Sequence, residues 1–326
     1  MRVSFLGGGT DFPEYFLQEN HVGRVLGTTI DKYVYAYALN QPKFETVKIR
    51  FNYRTSESVE SVSEIQHPVV REALKLYKWN QPINIGTMAD LPGRSGLGSS
   101  SAFTVAFVAL LETLNHNLID APKIARLAIR IEREILEEEG GYQDQIQAAT
   151  GGFRLYEFSK HGIDSNMEVP NSFTDYLGES LVLYAPTESR SSKDFARFTK
   201  QSIDQIKANG LQSVYTEMSE LSKEVYFQLC TAESNEKALL ALSGGMNEAW
   251  KMKTKIVPTS SSDTLEIINT GLRNGALAGK LCGAGGTGFV AFLVPNSEMK
   301  NFSKKFDQSN LVFPKPTLSG VTVFSL

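Results

Sequence analysis

The stretch LPGRSGLGSSSAF, from Leu91 to Phe103, constrains this chain more than any other. A strand-like segment, Pro82–Ala89 (PINIGTMA), leads into it, and an apolar segment, Ser101–Leu114 (SAFTVAFVALLETL), leads out. The second is apolar on nearly every face, the mark of a buried helix. Strand, glycine-rich turn and buried helix together make an anion cradle. Glycine lets backbone approach a ligand closely, and the first N–H groups of a helix point their unpaired dipoles at it. Two familiar phosphate patterns nevertheless fail. Gly93 and Gly98 open a Walker A spacing, but Ser99 stands where lysine is required. Gly96 and Gly98 open a dinucleotide-binding spacing, but Ser101 stands at the third glycine. A plain turn capped by Ser100 or Ser101 is the competing reading of this segment alone.

Two further glycine-rich loops shift the balance toward a ligand. RVSFLGGGTDF sets three glycines and Asp11 after the first strand, and LCGAGGTGF sets four glycines before a buried strand, Phe289–Val294. Asp11 can accept hydrogen bonds from sugar hydroxyls, although an Asx turn is the simpler use of such a residue. A fourth stretch, GGYQDQIQAATGG, carries Asp144 just beyond an acidic helix that contains Glu132. One carboxylate can bind Mg²⁺ while the other orients or deprotonates a hydroxyl. Phosphoryl transfer asks for little beyond charge neutralisation, in-line placement and an oriented nucleophile.

The rest of the chain excludes other classes. Its 326 residues are 41% apolar and carry a formal net charge of -3, with no basic stripe for nucleic acid or an anionic membrane. Two cysteines, Cys230 and Cys282, and four scattered histidines form no zinc or disulfide pattern. No apolar run is long enough for a signal peptide or a membrane span, so cytoplasm is the expected address. Monomer and homodimer stay equally open. The first ninety residues read mostly as strands, including Arg2–Leu6, one long strand over Gly27–Leu39, and Thr46–Tyr53, with a helix at Pro68–Tyr77. A single helix is expected over Ala121–Glu138, with Pro122 in its first turn. Later helices are expected at Lys193–Ala208, Gln212–Leu229, Glu233–Met252 and Ser262–Arg273, and strands at Ser180–Tyr184 and in the tail Thr317–Phe324.

Taken in order, the segments resemble the GHMP kinase superfamily, named for galactokinase, homoserine kinase, mevalonate kinase and phosphomevalonate kinase. The resemblance rests on RVxxxGxxTD, PxxxGLGSSS and CGAGGTGF and spans nearly the whole chain. It implies an α/β (α+β) fold of two domains. Residues 1–160 would form an ATP-binding domain like the second domain of ribosomal protein S5, and residues 161–326 a ferredoxin-like domain. ATP and substrate would lie in the cleft between them. It implies further that Pro92, Gly93, Arg94, Ser95, Gly96, Leu97, Gly98, Ser99, Ser100 and Ser101 hold the nucleotide phosphates, with Ser100 and Glu132 on Mg²⁺. Asp144 would be the catalytic aspartate, assisted by Arg2. Gly8, Gly9, Thr10 and Asp11 would meet the sugar, and Gly283, Gly285 and Gly286 would shape the substrate and phosphate end of the cleft.

Within the superfamily, GGGTDFPEYF, GRVLGTTIDKYVYA and GGYQDQIQAATGGF are most similar to the heptose 7-phosphate kinases. That likeness implies transfer to the anomeric C1 hydroxyl of a heptose already carrying a second phosphate. Sibling C1 kinases of fucose or galactose type, and a catalytically silent sugar and ATP sensor, are the alternatives. A second phosphate needs a cation. Arg190, among Ser189, Ser191 and Ser192, is the expected seat, with Lys193 and Arg24 as weaker candidates.

Overall fold

The structure is a computed structural model that describes residues 1–41, 48–93, 95–186, 199–204, 206, 208, 211–256, 261–286 and 288–324. It builds three antiparallel or mixed sheets and wraps them with helices. In chain order the elements begin with β1 (Arg2–Leu6), a short α1 (Pro13–Phe16), β2 (Gly23–Ile30), β3 (Val34–Asn40), β4 (Ile49–Asn52) and β5 (Ser56–Val59). There follow α2 (Pro68–Leu76), β6 (Ile83–Ala89), α3 (Ser99–Leu114), α4 (Ala121–Ile129), α5 (Gln143–Thr150), β7 (Phe153–Ser159), β8 (Gly162–Glu168) and α6 (Asn171–Leu177). The last part holds β9 (Leu181–Tyr184), α7 (Gln212–Thr231), α8 (Asn235–Ile256), α9 (Ser262–Arg273), β10 (Ala278–Leu281), β11 (Val290–Leu293), α10 (Met299–Ser303), β12 (Leu311–Val312) and β13 (Pro316–Thr317).

The first sheet runs β1-β2-β7-β8, with β13 added on β2; the second runs β3-β6-β4-β5 and the third β10-β11-β9-β12. Among the described residues all pairs are antiparallel except β4 with β6. Helix α3 is buried as its composition demands, packing against β3, α4 and α5 with Phe107, Val108 and Leu111 wholly enclosed. Helices α7 and α8 pack on each other, α7 against β2 and α8 against β10 and β1. The ends of β1, α3, α5, α8 and β10 thereby meet at one place.

Several expectations need correction. The long strand over Gly27–Leu39 is two strands, because the chain turns at Asp31, whose carboxylate accepts from the Lys315 backbone. The single helix over Ala121–Glu138 stays α only to Ile129; Arg130–Ile135 is a π-turn, and no helix continues beyond it. Helix α3 starts two residues early, at Ser99, with Gly98 at its N-cap in the left-handed region. Neither Ser100 nor Ser101 caps it. In the tail only Pro316–Thr317 pairs, with β2. The hairpin of β7 and β8 was not foreseen; FRLYEFS alternates buried and half-buried positions except at Leu155 and Tyr156, both buried where the register with β8 shifts.

Candidate active site

The three glycine-rich loops touch one another. The Arg2 backbone N–H donates to Leu97 O at 3.0 Å, and the Phe289 N–H donates to Ser95 O at 3.0 Å. Gly96 has φ +80°, and a Cβ there would lie 2.4 Å from Cys282 O, so only glycine lets the central loop sit against the third. These contacts frame a cavity of about 660 Å³. It is lined from loop one by Gly8, Gly9 and Asp11, from loop two by Gly96, Gly98 and Ser99–Ser101, and from loop three by Gly283. Arg2, Glu132 and Asp144 line it too.

The first turn of α5, Gln143-Asp144-Gln145, ties the charged groups together. Asp144 receives Arg2 on one oxygen: Nε donates to Oδ1 at 2.8 Å and Nη2 lies 2.6 Å from the same atom. Arg2 Nη1 also donates to Gly96 O at 2.7 Å, which fixes the guanidinium. Oδ2 is left facing the start of α3, 3.3 Å from where a Cβ on Gly98 would be. Gln143 donates to Asp11 twice, from its backbone N–H to Oδ2 at 3.1 Å and from Nε2 to Oδ1 at 3.0 Å. Gly9 N–H adds a third bond to Asp11 Oδ1 at 3.0 Å. Burial of Asp11 raises its carboxyl above the usual range, and the Gln143 and Gly9 amides oppose that shift. On the other side Gln145 donates to Glu132, which also accepts from Thr104 and from Ser101 Oγ at 2.9 Å. One helical turn thus holds three carboxylates in fixed relation.

Glu132 lies within the π-turn and lines the cavity. The wider turn, with Leu136 N–H bonded to Ile131 O, moves its neighbours out of α register. π-Turns are often found at functional sites. Burial pushes the Glu132 carboxyl up from 4.5 to about 7, against the hydrogen bonds from Thr104, Gln145 and Ser101. Between those two values the folded protein holds a proton that the unfolded chain releases. Stability without a cation therefore falls as pH rises through that window. Glu132→Gln is expected to abolish this component, so that the variant's melting temperature exceeds wild type at pH 8 and the gap closes below pH ~4.5. Melting curves across pH in chelator check it; a gap constant with pH would show that Glu132 does not ionise on unfolding.

Other expected residues lie apart from the cavity or serve it indirectly. Thr10 is fully buried, donating to Gly7 O and Arg24 O and accepting from Arg24 N–H, and so shapes loop one from behind. Leu97 is core, Ser95 is buried, and Pro92 and Gly93 are exposed away from the cavity. Gly285 and Gly286 do not line it. Arg24 is committed to Glu157 and to Glu220 at 2.6 Å, which removes it as a phosphate seat. Arg94, Arg190, Ser189, Ser191, Ser192 and Lys193 lie outside the described residues. Sequence reasoning missed Ser4, Gln143, Gln145, Lys253 and Lys280, all of which line the cavity. The flanking glutamines of QDQ were the one legible signal among them.

Known proteins are similar to this chain in sequence and fold. Residues 66–152 match the family described as GHMP kinases N terminal domain. The D-glycero-alpha-D-manno-heptose 7-phosphate kinase of Campylobacter jejuni is 30% identical over 325 residues, spanning 93% of this chain and 90% of that protein. The mevalonate kinase of Pyrococcus furiosus is 26% identical over 288 residues, spanning 86% of this chain and 76% of that one. In three dimensions, the crystal structure described as a D-glycero-D-manno-heptose 1-phosphate kinase from Bacteriodes thetaiotaomicron superposes with a TM-score of 0.74. It is 22% identical and covers 100% of this chain and 98% of its own.

Proposed function

Because this chain belongs to the GHMP kinase family and is a sugar kinase, we propose that it transfers the γ-phosphoryl group of ATP to the anomeric C1 hydroxyl of D-glycero-D-manno-heptose 7-phosphate, with Mg²⁺. The product would be the 1,7-bisphosphate, a precursor for nucleotide-activated heptose. The observation that carries the reading is the placement of Asp144. Arg2 occupies Oδ1 alone, and Oδ2 lies beside the N-terminus of α3 on the cavity wall. A sugar hydroxyl accepted by Oδ2 is then directed at whatever anion the helix start holds.

The residues fit the nucleotide and its cation. The open N-terminus of α3 has no side-chain cap, so its first N–H groups are available to phosphate oxygens. Among the described residues no group of three His, Cys, Asp or Glu could cage a metal by itself. Magnesium carried by a nucleotide needs only one or two protein oxygens beside phosphates and water. Ser100, exposed on the cavity wall, and Glu132 supply them. When bound, the ion neutralises charge on the phosphoryl oxygens. The buried Glu132, pushed toward neutrality when alone, gains a counter-charge at the same time.

Asp11 serves the sugar. Its carboxylate is fixed by loop one and by Gln143, and it lines the cavity with the Gly8 and Gly9 backbone. Arg190 is kept as the seat of the second phosphate. Arg190→Ala is expected to raise KM for heptose 7-phosphate tenfold or more, about 1.4 kcal/mol, with kcat little changed; an unchanged KM removes it from the site. The reaction itself is tested by ADP release with ATP and Mg²⁺ against heptose 7-phosphate, its unphosphorylated parent, galactose, fucose and mevalonate. Turnover confined to the 7-phosphate, with a 1,7-bisphosphate product by phosphorus NMR, is the expected result. Turnover of a neutral sugar instead would discard the heptose assignment and keep the kinase.

A further inference from the structure

Lys280 is a buried cation that none of the steps above employs. It lies in β10, is 7% exposed, and donates to two backbone oxygens of β1, Ser4 O and Phe5 O, each at 2.9 Å. No carboxylate pairs with it among the described residues. An ammonium group has three donors, so the third N–H has no protein acceptor among the described residues. Beside it stands Ser4, on the same face of β1 as Arg2 by the two-residue period of a strand. Ser4 Oγ is buried without a hydrogen-bond partner. Both residues line the cavity, and the space over Gly8 is open: a Cβ there would find its nearest atoms, Ser4 Oγ and Gln143 Nε2, at 3.8 Å. An unpaired buried charge is costly, and so is an unsatisfied buried hydroxyl. Here both costs fall at one spot on the wall of a cavity.

We infer that Lys280 Nζ and Ser4 Oγ form a seat for one phosphoryl oxygen of a bound ligand, beside the Arg2–Asp144 pair. An anionic oxygen completes the ammonium's third bond and takes the serine's proton donor. Two ligands can bring such an oxygen: the nucleotide, through the group being transferred, or the sugar, through the phosphate it already carries. Only the second rests on the heptose reading; the first needs only that the chain is a kinase. Burial lowers the Lys280 ammonium to about 8, with the Cys282 thiol opposing and Arg2 reinforcing that shift. A bound phosphoryl oxygen raises it again.

The test compares Lys280→Met and Ser4→Ala with wild type by calorimetry, using heptose 7-phosphate, the unphosphorylated heptose, and a non-hydrolysable ATP analogue with Mg²⁺. A loss of tenfold or more in Lys280→Met, and a smaller loss in Ser4→Ala, is expected for one phosphorylated ligand. Loss for the heptose phosphate alone assigns the seat to the sugar's phosphate; loss for the ATP analogue alone assigns it to the nucleotide. Equal loss for phosphorylated and unphosphorylated heptose would mean a hydroxyl seat and overturn the inference, as would unchanged affinity for all three. Wild-type enzyme labelled with ¹³C at lysine Cε guards against misfolded variants. The Lys280 resonance, identified by its buried environment, is followed through pH with each ligand and with inorganic phosphate. A phosphoryl ligand should raise its midpoint by about one unit, a tenfold change in proton affinity. A midpoint that no phosphoryl ligand moves overturns the seat, whichever sugar the enzyme uses.

Discussion

Asp144→Asn is expected to bind nucleotide as wild type does and to lose turnover by about a hundredfold or more. The isosteric amide keeps the shape of the first turn of α5 but loses the negative charge that holds Arg2 at 2.6 Å and 2.8 Å. It also presents either a neutral oxygen or an amide donor to the acceptor hydroxyl. The Arg2 guanidinium, released from Asp144, keeps its bond to Gly96 O. Nucleotide affinity is carried by the backbone N–H groups at the start of α3, none of which the substitution removes. Calorimetry with a non-hydrolysable ATP analogue and ADP release at saturating substrate separate the two quantities. An Asp144→Asn enzyme that turns over at near the wild-type rate would remove Asp144 from the chemistry.

Gly141→Ala should be nearly as damaging, for a steric reason that leaves no charge altered. A Cβ on Gly141 would lie 1.8 Å from Asp11 Oδ2 and 2.3 Å from its Cγ. Asp11 cannot swing aside cheaply, since it is buried and held by Gly9 and by both donors of Gln143. Displacing a substrate-holding group by about 1 Å can cost about a hundredfold in rate, and that is the expected fall in kcat/KM for the sugar. Gly140→Ala is the control next door, because nothing lies within 4 Å of a Cβ there. Steady-state kinetics on both variants decide the matter. Equal behaviour of the two would mean that Asp11 is not part of the sugar site.

Much of the fold was legible because it is written in local chemistry. The buried α3 is apolar all round, and the helices α2, α7, α8 and α9 follow their periodicity to within a few residues. The glycine-rich loops announced close backbone approach, and the structure packs them together through Arg2, Ser95, Leu97 and Cys282. The family was legible as well, from three ordered motifs, and the comparisons bear it out. What sequence could not show depends on contacts between distant segments. Lys280 sits in AGKL, a run in which every residue is buried, and composition argues against burying a lysine there. Its partners are carbonyls about 275 residues away, and no local pattern encodes them. Gln145 is likewise an ordinary helix residue until Glu132 is placed beside it.

The π-turn at Arg130–Ile135 has a meaning for how such a site is maintained. A π-turn is an α-helix carrying one residue too many, and its hydrogen bonding is poorer than that of the regular form. Removing that residue would let α4 run on in standard geometry. It would also rotate everything beyond it by about 100°, the angular step of one helical residue. Glu132 lies inside that span, with Ser101, Thr104 and Gln145 converging on its carboxylate. The segment therefore records a conflict between two demands on the same six residues. Regular helix geometry favours one length of chain, and the aim of a single carboxylate requires another. The chain has the length that suits the carboxylate.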